Sequence, residues 1–190
     1  MTADPAPRAI GLPDEWLSRG FALRPEMDDD TAFLMRLYAS TREHELALLP
    51  WSEAQKHAFL AQQFQAQRHH YRTTMACCAF DVIEHDGAPI GRLYVEASPA
   101  QLNLVDIALL PAWRGQGLGC AILGALQAAA AASTRVVCAF VEKSNPALRL
   151  YRRLGFAEIA DHGLYWEIEW TPPAAPAAGS SPAFESTSGS

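Results

Sequence analysis

After an apolar run over residues 102–110 the chain reads Arg114-Gly115-Gln116-Gly117-Leu118-Gly119, and Ala- and Leu-rich sequence without an internal proline follows. That order predicts a strand, a glycine turn and a helix. A turn of this kind leaves backbone N–H groups unpaired at a helix N-terminus, where the helix dipole favours an anion. Gly115, Gly117 and Gly119 put no side chain between that backbone and a phosphate.

Two nucleotide-binding patterns fail on spacing. A P-loop needs Gly-Lys-Ser/Thr after the fourth intervening residue, and no lysine follows these glycines. A dinucleotide fingerprint needs Gly-x-Gly-x-x-Gly and an acidic residue about 20 residues on. Here the run is Gly-x-Gly-x-Gly, and the corresponding stretch is Arg135-Val136-Val137-Cys138.

Arg114-x-x-Gly117-x-Gly119 instead resembles the pyrophosphate loop of the GNAT superfamily of acyl-CoA-dependent N-acyltransferases. The segment Asn145-Pro146-Ala147-Leu148-Arg149-Leu150-Tyr151-Arg152-Arg153-Leu154-Gly155-Phe156 is similar to the family's second signature, at the expected downstream distance. The resemblance spans roughly residues 20–170.

The chain has 190 residues, enough for one domain with a sizeable core. With 49% hydrophobic and 19% charged residues it is expected to be a soluble globular protein. No apolar stretch reaches the ~18 residues of a membrane span, and the start, Met1-Thr2-Ala3-Asp4-Pro5, has no basic and apolar leader pattern. A net charge of −6 argues against a nucleic-acid partner and mildly suits a cationic amine. Cys77, Cys78, Cys120 and Cys138 make no C-x-x-C pair and lie in apolar surroundings, which reads as reduced core thiols of a cytoplasmic protein. The histidines have no ligand partners at helical spacing, so no metal site is expected.

Along the chain, residues 1–18 hold three prolines and read as an irregular arm, 19–171 as the domain, and 172–190 as a disordered Pro/Ala/Ser tail. A first strand at Phe21–Arg24 precedes a helix over about residues 29–40, which Asp28, Asp29 and Asp30 are placed to cap. A capping box at Ser52 and Gln55 opens a second helix over 53–70. Residues 79–84 and 90–95 form a hairpin about a turn at 85–89, and strand 102–110 follows. Leu118, Ile122 and Leu126 mark the buried stripe of the helix after the loop. Val136–Val141 is a buried strand, Asn145 an N-cap with Pro146 behind it, Gly155 a C′ stop, and 157–159 with 165–170 a closing hairpin. The order is β-α-α-β-β-β-α-β-α-β-β, an α/β (α+β) fold with a mixed, mostly antiparallel central sheet and helices on both faces. The GNAT resemblance implies the same order.

The resemblance also implies a site. The backbone of Arg114, Gly115, Gln116, Gly117, Leu118, Gly119 and Cys120 would anchor the pyrophosphate of acetyl-CoA. Backbone N–H groups of Ile107, Ala108 and Leu109, where the family's strand bulges and splays, would polarise the thioester. Asn145 would bond the pantetheine arm, and Tyr151 would protonate the leaving sulfur. Tyr151 is equally placed to be a core aromatic, and Asn145 a plain cap. For a base the chain offers Glu43, Glu45 and Asp106, with Arg92 the obvious partner for Asp106 in a structural pair. Arg42, Trp51, His70, Tyr71, Arg72 and Tyr165 are candidate walls of an acceptor pocket.

The expected activity is N-acetyl transfer from acetyl-CoA to a primary amine of a small molecule or peptide, without metal, nucleic acid or membrane, by a monomer or homodimer. A non-catalytic GNAT-fold module that binds acyl-CoA or docks a partner is the alternative.

Overall fold

The computed structural model describes residues 8–75 and 77–173. The described residues form five α-helices and seven strands, and after the first helix they follow the expected order: α1 (Asp14–Leu17), β1 (Phe21–Pro25), α2 (Thr31–Ala47), α3 (Glu53–Thr74), β2 (Cys78–His85), β3 (Ala88–Ala97), β4 (Gln101–Leu109), α4 (Leu118–Ala132), β5 (Val136–Glu142), α5 (Leu148–Arg153), β6 (Ala157–His162) and β7 (Tyr165–Trp170). The strands form one sheet in the order β1-β2-β3-β4-β5-β7-β6, in which β4 and β5 are the parallel pair.

Local sequence explains most boundaries. Ser52 and Gln55 make the reciprocal capping box that opens α3. Asp86 and Gly87, both at positive φ, turn β2 into β3. Gly155 at φ +84 stops α5, and the Phe156 N–H closes back onto the Tyr151 carbonyl. Leu118, Ile122 and Leu126 are fully buried, as the stripe predicts.

Three boundaries differ from the sequence expectation. Helix α2 runs on to Ala47, so Glu43 and Glu45 lie on the helix itself. Asp30 does not cap it, because its carboxylate is taken by a two-pronged pair with Arg24 at 2.6 and 2.7 Å. Helix α5 begins at Leu148 rather than Pro146, after a turn in which Asn145 Oδ1 accepts the Ala147 N–H at 2.9 Å. Within the expected irregular arm, α1 forms, and Ile10, Leu12 and Trp16 are buried in the main core. Trp16 packs edge-on against Phe21, which holds the arm in place. The tail from residue 174 lies outside the described residues. Cys78 and Cys138 are buried as expected, whereas Cys77 is exposed and Cys120 half-buried.

Two apolar clusters cover the two faces of the sheet. The larger joins α4 and α5 to Val137, Ala139 and Val141 of β5 and to Leu102 and Leu104 of β4. The smaller joins Leu34, Leu37, Tyr38 and Phe64 of α2 and α3 to Val82, with Ala108 and Leu110 packed against it.

Candidate active site

The parallel pairing of β4 with β5 stops at Leu104 and Ala139. Both strands continue, to Leu109 and Glu142, so a wedge opens between them. Its cause lies on the other edge of β4. There Tyr94 opposes Asp106 but Val95 opposes Leu104, so Val105 is an extra, bulged residue that bends the strand. Beyond the bulge the Leu110 N–H donates to Ile90 of β3. By the alternation of an antiparallel ladder, Ile107 and Leu109 therefore turn their N–H groups into the wedge. These are the positions where the sequence expects polarising donors. Ala108, between them, turns its peptide groups to β3 and its side chain to the smaller cluster.

At the foot of the wedge the loop takes the form the glycines predict. Gly115 lies at φ +73 and Gly117 at φ +91, a region open to glycine. Gly117 is the N-cap of α4 and supplies no side-chain cap, and the first intrahelical bond runs from Ala121 N–H to Gly117 carbonyl. The N–H groups of Leu118, Gly119 and Cys120 thus remain available for an anion at the positive end of a fifteen-residue helix.

The side chains of the loop hold its shape. Arg114 Nε donates to the Leu109 carbonyl at 2.7 Å, and its Nη2 to Ser40 Oγ of α2 at 3.0 Å. Gln116 Nε2 folds back onto the Ala112 carbonyl at 2.6 Å. Trp113, Phe21 and His85 form an aromatic cluster beneath the loop, which Trp16 extends.

Tyr151 projects from α5 into the main core, with its ring edge-on to Phe156 at 5.3 Å. Its hydroxyl makes no hydrogen bond to the described residues. Burial first, and then the charge of Asp106, push this hydroxyl above the ordinary tyrosine range, so it stays protonated at neutral pH.

Asp106 pairs with Arg92 at 2.6 Å, and the same Oδ2 accepts the Tyr71 hydroxyl at 3.3 Å. The structural pairing foreseen for Asp106 is thus formed. Arg92 is buried, bonds Gln67 at 3.0 Å, and leaves Nε without a partner, alone among the buried side-chain polar atoms of the described residues. Burial works against the guanidinium charge, Asp106 offsets it, and the pKa of Arg92 is raised.

Glu45 is exposed and pairs with Arg42 at 3.2 Å, while Glu43 is exposed with no partner among the described residues. Arg42 also reaches Glu142, at the end of β5, at 3.2 Å. Glu142 accepts the Tyr165 hydroxyl at 3.4 Å as well. Glu142 escapes sequence reading because it closes an apolar strand and belongs to no motif. The remaining expected wall residues scatter. Arg72 turns away to bond the buried Glu26 at 2.7 Å, Trp51 packs edge-on against Phe59, and His70 stays exposed beside Tyr71. Among the described residues no group of three His, Cys, Asp or Glu is placed to hold a metal ion.

The model of the acetyltransferase (GNAT) domain matches residues 76–158, which span the hairpin, the wedge, the glycine loop, α4, β5 and α5. Solved structures share the fold. The PaiA N-acetyltransferase from Thermoplasma acidophilum, in complex with coenzyme A, superposes with a TM-score of 0.60 at 14% identity, over 80% of this chain and 98% of that one. An acetyltransferase from Thermus thermophilus gives 0.58 at 18%, over 80% and 96%. The ribosomal-protein-S18-alanine N-acetyltransferase from Escherichia coli gives 0.55 at 17%, over 84% and 99%. No curated protein matches the sequence. Residues 76–158, which carry the wedge and the glycine loop, thus match the acetyltransferase (GNAT) domain, and solved acetyltransferase structures share the fold.

Proposed function

We propose that the protein is an acetyl-CoA-dependent N-acetyltransferase that acts on a primary amine of a small molecule or peptide, by direct attack in a ternary complex. The observation that carries this is the wedge. Two N–H groups, of Ile107 and Leu109, face a gap that ends at the uncapped start of α4. The gap suits a pantetheine arm lying beside β4 as an added strand, with its pyrophosphate at the N–H groups of residues 118–120. A structure of the same fold holds coenzyme A, which agrees with that fit.

Each group then has a task. The N–H groups of Ile107 and Leu109 hold the thioester oxygen and stabilise the charge that develops on it. Fixed donors of this kind contribute about 10²–10³ in rate. Tyr151, kept protonated by its surroundings, donates to the departing sulfur. The carboxylates on the α2/α3 face, Asp106 and Glu142, suit a cationic acceptor. Asn145 spends Oδ1 on its own turn and keeps its amide for the pantetheine arm.

CoA release from acetyl-CoA, measured with ethylamine, 1,4-diaminobutane, lysine and a peptide with a free N-terminus, tests the activity. Release that depends on the amine is expected. Tight acetyl-CoA binding without release for any acceptor would favour the non-catalytic module.

A further inference from the structure

We infer that Glu142 is the carboxylate that receives the acceptor ammonium and takes its proton, an assignment that rests on the transferase activity proposed above. The register of the sheet gives its place. Leu104 pairs with Ala139, and three residues further along each strand stand Ile107 and Glu142. Glu142 therefore ends the arm of the wedge that faces the polarising donors.

Its face is fixed as well. Val137, Ala139 and Val141 point into the core under α4, so Glu142, one residue on, points to the opposite face. The contact with Arg42 of α2 confirms this. Asp106, which meets Tyr71 of α3, lies on that same face. Tyr151 approaches from the α4/α5 side. An amine held by Glu142 and a sulfur protonated by Tyr151 thus approach the carbonyl from opposite faces of the sheet, so the base and the acid act without competing for the same space.

The two carboxylates on the acceptor face differ in what they have left to offer. Asp106 spends Oδ2 on the buried Arg92 and on Tyr71, and its side chain is 15% exposed. Glu142 is 30% exposed; its Oε1 accepts two long bonds, from Arg42 at 3.2 Å and Tyr165 at 3.4 Å, and its Oε2 accepts none among the described residues. Arg42 is itself divided between Glu142 and Glu45. The charged and titratable groups that meet Glu142 are Arg42 of α2, which also holds Glu45 and lies by Tyr38, and Tyr165 of β7, which neighbours Tyr71 of α3. Lys143, next in sequence, turns the other way, to Asp161 at 2.6 Å. One free carboxylate oxygen at the mouth of the wedge is what an ammonium needs.

The step balances. The ammonium loses one proton to Glu142, and its nitrogen lone pair forms the bond to the thioester carbon. The C–S bond breaks, the sulfur takes the Tyr151 proton, and the second proton on nitrogen returns to Tyr151 through solvent. Glu142 releases its proton to water, leaving the amide, the thiol and one proton.

Two amines of nearly equal size test this. Ethylamine is a cation at pH 7, and 2,2,2-trifluoroethylamine is neutral there. Glu142→Gln keeps an acceptor for Arg42 and Tyr165 and removes the basic oxygen. For ethylamine at pH 7, kcat/KM is expected to fall about 10²-fold. The deficit should shrink as pH rises and free amine accumulates. For trifluoroethylamine the rate should hardly change, calorimetric binding of acetyl-CoA should match wild type, and Glu142→Asp should recover part of the loss. Equal losses for both amines, or no loss for either, would overturn the assignment. So would the same selective loss in Asp106→Asn but not in Glu142→Gln. A wild-type protein that acetylates no amine at all would instead bring down the transferase activity, and this assignment with it.

Discussion

The side of the wedge proposed for the cofactor and the side proposed for the acceptor are built by different means. The cofactor side is main chain: the N–H groups of Ile107 and Leu109 and the start of α4, drawn from one stretch of sequence between the bulge at Val105 and Cys120. The acceptor side is made of side chains from five separate elements: Arg42 on α2, Tyr71 on α3, Asp106 on β4, Glu142 on β5 and Tyr165 on β7. A site made of backbone tolerates few alternatives, because glycines at positive φ and an uncapped helix start must recur together. A site made of side chains from distant elements is free to vary, and with it the substrate.

The largest expected effect is on the cofactor side. Gly117→Glu places a carboxylate where the pyrophosphate belongs and should leave no acetyl-CoA binding by calorimetry. Gly117→Ala separates blockage from strain. At φ +91 the added methyl costs about 1–2 kcal/mol, seen as a lower Tm, with binding weakened but present. Normal binding by the glutamate variant would mean the loop does not hold the phosphate.

On the acceptor side the largest effect should be structural. Arg92→Leu leaves Asp106 without its buried cation, and urea unfolding should show a loss of about 3–5 kcal/mol. A loss under about 1 kcal/mol would mean that Asp106 relaxes into solvent.

Tyr151→Phe joins the two sides. Turnover should fall about 10²-fold with acetyl-CoA affinity and Tm nearly unchanged, because the ring and its packing on Phe156 remain. Unchanged turnover, in an enzyme limited by chemistry, would return the residue to a packing role.

The smallest effect concerns the anchor of α2. The hydrogen bonds from Arg24 hold the Asp30 carboxyl below the ordinary range, against its burial. A lowered carboxylate contributes stability that is complete above the ordinary value of about 3.9 and is lost as pH falls through the folded one. Asp30→Asn should therefore cost about 1.5–3 kcal/mol at pH 7 and flatten the acid limb of the stability curve. Parallel acid limbs in the two proteins would show that the pair contributes nothing.

The same contrast decides what the sequence reveals. The glycine loop, the stripe of Leu118, Ile122 and Leu126, the capping box at Ser52 and the stop at Gly155 are local rules, and each is satisfied where it is written. The pairing of Arg92 with Asp106 is legible because a charge on an apolar strand needs a partner nearby. The extension of α2 to Ala47 is not, since tertiary packing of its last turns overrides a weak pattern. Neither is the support that Trp16 gives the loop, or the meeting of Arg42, Glu142 and Tyr165, because long-range packing brings these residues together.

Amide hydrogen exchange with and without acetyl-CoA tests the central claim most directly, and needs no acceptor. If the wedge holds the cofactor through main chain, acetyl-CoA should slow exchange at Ile107 and Leu109 and at residues 115–120, and leave Glu43, Glu45 and the rest of α2 little changed. Saturating acetyl-CoA that protects none of these amides, or protects a different surface, would contradict it.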